Sequence, residues 1–260
     1  MKKYASVCML YVGSAANRLL GILALMIGAE TLQFWLTMIR HPSWELQIVF
    51  LHSGIIWTMA VMLVLWTLTW AMFSHAKAKY TLERLRINRR STMLCHGACA
   101  AVSYILLWGV QVLLLLVLFH WYGVHTPPTQ ITIDCLGTAE IHTIHHYGPQ
   151  TIAQMFYGVP VLHGLLPLGD WPFYVRNLVL TLVLGGCCAA IPMTLERGKG
   201  GVVLLALVTG AVLWVFPAGM GWYQPLVTQG TFIVLLVLAA ALWVVLSRAD
   251  RKEDKHHEET

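Results

Sequence analysis

Apolar positions fall in six long runs, at about 19–39, 48–73, 94–119, 178–195, 202–218 and 230–246, with most charges in the segments between them. A helix needs about 20 apolar residues to cross a bilayer core, so the pattern predicts six transmembrane helices. A seventh apolar stretch, 151–169, contains Pro160, Pro167 and His163 and is bracketed by Pro149 and Pro172. Proline removes a backbone donor and clashes with the preceding turn, which makes this stretch a poor lipid-facing helix.

Charge position decides between the two counts. With six spans, 15 of the 17 Lys and Arg residues fall on the side of the N-terminus, and only Arg40 and Arg176 fall opposite. A seventh span flips the later loops and leaves ten on one side and seven on the other. Cationic side chains accumulate in short cytoplasmic loops, so the six-span count is preferred and both termini are expected in the cytoplasm.

Composition agrees with a cell-membrane, multi-pass protein, since 58% of residues are hydrophobic and 11% charged. The formal net charge of +5 comes from residues at span ends and in the tail, where the cytoplasmic bias and anionic membrane lipid account for them. No nucleic-acid partner is implied. The expected fold is therefore an all-α polytopic membrane protein forming one transmembrane domain, 1–260. It opens on an interfacial helix, 1–17, and ends in a mixed-charge cytoplasmic tail, 248–260. Between the third and fourth runs, 120–175 holds six of the 12 His residues and no Lys or Arg. It is expected as an external cap, with room in its second half for two short re-entrant helices. Six Cys residues occur without CxxC spacing and imply neither a disulfide framework nor a zinc framework.

Three polar groups are candidates for chemistry. Glu30 is the acidic residue well inside a predicted span, and its cost in lipid should turn it toward the bundle interior with Gln33 one turn away. Those two residues would serve a substrate pathway for a cationic or polar molecule, a proton-linked site, or an interhelical hydrogen bond. The external HTIHH offers His142, His145 and His146 at spacings that share one helical face and suit zinc, copper or iron. Asp134, Glu140 and His163 are near enough in sequence to complete such a site. His52 and His96 are not a haem pair, because antiparallel spans would hold them roughly 25–30 Å apart at 1.5 Å per residue. Each is expected as an interfacial or hydrogen-bonded residue, and the Trp residues as belt and packing residues. GKGG at 198–201 lacks the rest of a phosphate loop, and no GxSxG or HExxH occurs, so ATP chemistry is not expected on this chain.

The remaining feature is SHAKAKYTLERLRINRRS, 74–91, with six of the 17 Lys and Arg residues between two apolar runs. Ala78, Leu82 and Leu85 recur at helical spacing while Lys77, Lys79, Arg84 and Arg86 point elsewhere, as in a short amphipathic helix. It serves either as a topogenic loop on the membrane surface or as a docking helix. Through KAKYTLERLRINRR the chain resembles the permease subunits of ABC-2-type exporters, in particular small clostridial ABC permeases, and the layout of interfacial helix, six spans and basic coupling helix is similar across most of the chain.

The resemblance implies a transport subunit without enzymatic activity, with ATP and Mg on separate ABC ATPase subunits and a second permease chain, identical or paralogous, completing the pathway. It places Tyr80, Leu82, Leu85 and Arg86 at the ATPase contact. The exported substrate would be amphipathic or hydrophobic: a peptide, lipid or drug. The cap between the third and fourth spans departs from the family, whose external elements lie between spans five and six. Two other classes stay open: a metal- or haem-binding membrane protein using His142, His145 and His146, and a non-transporting assembly or sensor subunit.

Overall fold

The computed structural model describes residues 2–40, 53–70, 89–125, 129–135, 138–144, 171–195, 200–218, 230 and 233–245. These form six helices and one β-hairpin. In chain order the elements are α1 (Lys2–Arg40), α2 (Ser53–Trp70), α3 (Arg89–His125), β1 (Thr129–Cys135), β2 (Thr138–Ile144), α4 (Trp171–Leu195), α5 (Gly200–Ala218) and α6 (Ile233–Val245). Each predicted apolar run coincides with all or part of one of the helices. Two stretches, Tyr4–Ile39 and Arg90–Tyr122, are long and apolar enough to cross a membrane, and the other four helices contribute shorter apolar lengths.

Burial on these helices is periodic while hydrophobicity is not. Along α2, Trp57, Val61, Val64, Leu65 and Leu68 are buried, whereas Ile55, Met59, Leu63 and Trp66 on the opposite face are exposed. The same holds on α1, where Leu20, Leu25 and Leu32 point outward. An amphipathic helix in water shows a polar outer stripe. Here the outer stripe is as greasy as the core, the pattern expected where the surrounding solvent is hydrocarbon.

The core draws on all six helices. α1 packs on α2 and α3, α3 makes its most extensive interface with α4, and α5 packs on α2 and α4. The α3–α4 seam depends on small residues. A Cβ added at Gly185 would lie 2.7 Å from the Gly97 carbonyl oxygen and 2.9 Å from the Ala101 nitrogen. Both are backbone atoms with no freedom to give way. In lipid, where apolar burial no longer drives helices together, such close approach supplies the packing that holds them.

Three sequence expectations change. The interfacial helix 1–17 and the first span are one continuous helix of 39 residues, about 58 Å long at 1.5 Å per residue. Its junction, YVGSAAN, contains Gly13 but no proline, and a single glycine costs only about 1 kcal/mol. The fourth helix begins at Trp171 rather than near 178, because Pro172 sits in its first turn, where the missing N–H has no helical partner to lose.

The expected all-α cap contains the two-stranded antiparallel β1–β2 sheet, in register from Thr129 opposite Ile144 to Cys135 opposite Thr138. β-branched residues dominate both strands, and the strands are two residues apart in sequence, which favours a hairpin. Of the basic segment 74–91, Arg89, Arg90 and Ser91 open α3, while residues 71–88, the second half of the cap at 145–170, the connection 219–229 and the tail 246–260 lie outside the described residues.

Candidate functional site

Helix α1 meets α3 at three levels. Tyr11 stacks on His96 with ring centroids 4.3 Å apart and planes 8° from parallel. Gln111 bonds Glu30, and Phe34 meets Trp121 edge-on at 5.7 Å. Partner numbers rise together along both helices, so α1 and α3 run parallel. Glu30 lies 19 residues beyond Tyr11, about 28 Å along α1, deep in the apolar part of the seam.

At this middle level Glu30 is 1% exposed and Gln111 fully buried. The Gln111 Nε2 donates to both carboxyl oxygens, 2.8 Å from Oε1 and 3.1 Å from Oε2. A buried carboxyl without a donor would lose its hydration for nothing in return, and the amide supplies the missing donor. Turning Nε2 toward Glu30 directs the amide oxygen away from it. Gln111 Oε1 is buried without a hydrogen-bond partner among the described residues. The pair thus joins a carboxyl group to an unmatched acceptor, an arrangement that can receive one further hydrogen-bond donor.

The sequence places Glu30 inward, as found, but the partner comes from α3 rather than from its own helix. Gln33 is half-buried on α1, and its backbone carbonyl accepts a hydrogen bond from Thr37 Oγ1 at 2.8 Å. Gln111 stands alone as a polar residue in ILLWGVQVLLLLVLF. By the cost argument applied to Glu30 it is an interior residue too, and two buried polar residues on nearby helices are natural partners.

The other histidines separate. His96 is buried between helices, stacked on Tyr11 and hydrogen-bonded to the Leu68 backbone in the last described turn of α2. His96 thus ties this turn of α2 to α3. His142 lies in β2 opposite Ile131, in place of the helical turn expected for HTIHH, because the β-branched residues around it favour a strand. Glu140 pairs with Ile133 and Asp134 with Ala139, so Asp134 is out of phase with Glu140 and His142 along the ladder. His145, His146, His163 and His52 lie outside the described residues, as do Tyr80, Leu82, Leu85 and Arg86. Among the described residues, no three His, Cys, Asp or Glu side chains are grouped as metal ligands.

No protein-family model, curated protein or solved structure matches this chain.

Proposed function

We propose that the chain is the membrane-spanning permease subunit of an ATP-driven transporter of the ABC-2 exporter type, with six spans and both termini in the cytoplasm of a bacterial cell. The observation that carries the proposal is the basic segment 74–91, six cationic residues set between two apolar runs of a chain that has no phosphate-binding motif of its own. A bundle with such a handle and no means of converting energy calls for a separate motor.

Three structural features support the proposal. Helices α1 and α3 are parallel, as the first and third members of an up-down-up trio are. The outward faces of the helices are apolar. The α1–α3 seam carries a buried carboxyl–amide pair, Glu30 and Gln111, near Gln33. In this reading the three residues line or gate the route of a substrate with a polar or cationic group on a hydrophobic body. ATPase subunits, loaded with ATP and Mg, grip Tyr80, Leu82, Leu85 and Arg86. Their closure draws the two handles of a permease pair together and tilts α2 and α3, switching access between the two sides.

The test is co-expression with the ATPase encoded by a neighbouring reading frame, followed by reconstitution. The wild-type chain should bind the ATPase and stimulate ATP hydrolysis with substrate. The double variant Leu82→Asp, Leu85→Asp should insert normally yet lose both effects. Equal ATPase binding by the two proteins, or binding by neither, contradicts the proposal.

A further inference from the structure

The end of the α1–α3 seam that faces away from Glu30 holds a second cluster, made of sulfur. The near-parallel Tyr11–His96 stack fixes the register of the two helices there. Cys8 lies one turn before Tyr11 on α1, while Cys95 and Cys99 flank His96 on α3 and are themselves one turn apart. Residues three and four apart share a helical face. The stack therefore brings the Cys8 face against the Cys95 and Cys99 face, where Cys8 is the neighbouring thiol to both. All three are free and half-buried, within reach of a small reagent. Cys187 and Cys188 differ, being fully buried in the core, with Cys188 sulfur 3.8 Å from the Tyr104 hydroxyl.

We propose that Cys8, Cys95 and Cys99 form a thiol–disulfide exchange site at which a small-molecule disulfide of the glutathione type ties α1 covalently to α3. In the first step the Cys8 thiolate attacks one sulfur of the small disulfide. A Cys8–reagent bond forms, the reagent's S–S bond breaks, and one reagent thiolate leaves. In the second step the thiolate of Cys95 or Cys99 attacks the Cys8 sulfur, forms the interhelical disulfide and expels the second reagent thiolate. Two protein thiols are oxidised and one small disulfide is reduced to two thiols, which take up the two protons released.

Cys8 is the obligatory member. Side chains four apart on one helix hold their Cβ atoms about 5–6 Å apart, beyond the 3.5–4.5 Å that a disulfide spans, so Cys95 and Cys99 do not join each other while α3 stays helical. Each can instead resolve the adduct on Cys8. The tie restrains sliding of α1 along α3, the two helices that hold Glu30 and Gln111. The proposal does not depend on the transporter reading.

The experiment uses the full-length protein in detergent, exposed to oxidised glutathione, alkylated, digested without reductant and analysed by mass spectrometry. The expected product is a Cys8 peptide linked to the peptide of Cys95 or Cys99 and released by dithiothreitol. Cys95→Ser and Cys99→Ser singly should each retain a link. The double variant Cys95→Ser, Cys99→Ser should stop at a glutathione adduct on Cys8, and Cys8→Ser should give no interhelical link. Wild-type protein carrying only separate glutathione adducts or unmodified thiols overturns the proposal, as does a Cys95–Cys99 link in native protein.

Discussion

Gln111 reaches across from α3 to place one amide nitrogen within 3.1 Å of both oxygens of Glu30, while its own oxygen finds no partner among the described residues. The two residues depend on each other unequally. Gln111→Leu leaves the buried carboxyl without its donor, a loss of about 1–3 kcal/mol. Glu30→Gln keeps an acceptor for Nε2 and should cost less. Glu30→Leu with Gln111→Leu removes both needs and should recover much of the loss. Thermal unfolding in detergent, where 1 kcal/mol corresponds to about 2–4 °C for a chain of this size, checks the order. Additive single effects would show that the bond contributes nothing.

The Gly97–Gly185 crossing gives a second prediction. Gly185→Ala pushes a methyl into the backbone of α3, where 2.7 Å and 2.9 Å separations leave no rotamer to relax, and should destabilise by about 1–3 kcal/mol. Gly28→Ala adds its methyl where nothing lies within 4 Å and should match or slightly exceed wild-type stability, since alanine favours the helix. The difference in melting temperature between the two variants is the measurement.

His96 joins three helices by two kinds of contact, a ring stack on Tyr11 and a hydrogen bond to the Leu68 backbone. His96→Phe keeps an aromatic face and loses the hydrogen bond, whereas His96→Ala loses both. Stability in detergent should fall in the order His, Phe, Ala. Phe equal to Ala would show that the stack is incidental.

Transport offers a test of the seam itself. If the proposed transport role holds, Glu30→Gln in reconstituted vesicles preserves insertion and ATPase binding while lowering transport of a substrate bearing a cationic group more than that of its neutral analogue. Equal transport of both by wild type and variant would remove Glu30 from the route.

The helices and the inward turn of Glu30 were legible because each rests on a local cost. A long apolar run must cross lipid or be buried, and a carboxyl within one must avoid hydrocarbon. Contacts that depend on how two distant segments align left weaker marks. Gln111 was marked by its isolation among apolar residues, and the β-hairpin by its β-branched strands two residues apart. Nothing local announced that Cys8 would meet Cys95 and Cys99, because the meeting follows from the Tyr11–His96 register some 85 residues apart in the chain. The continuity of α1 is hidden for another reason: a polar, glycine-containing junction resembles a boundary, yet no residue in it stops a helix.

The placement of the basic segment tests the proposal most directly. Reporter fusions or protease-accessible tags at Arg84, within 138–144 and at the C-terminus locate each point relative to the bilayer. The six-span transporter predicts Arg84 and the C-terminus in the cytoplasm and the hairpin outside. Arg84 on the outer side would leave no handle for a cytoplasmic motor and would contradict the proposal.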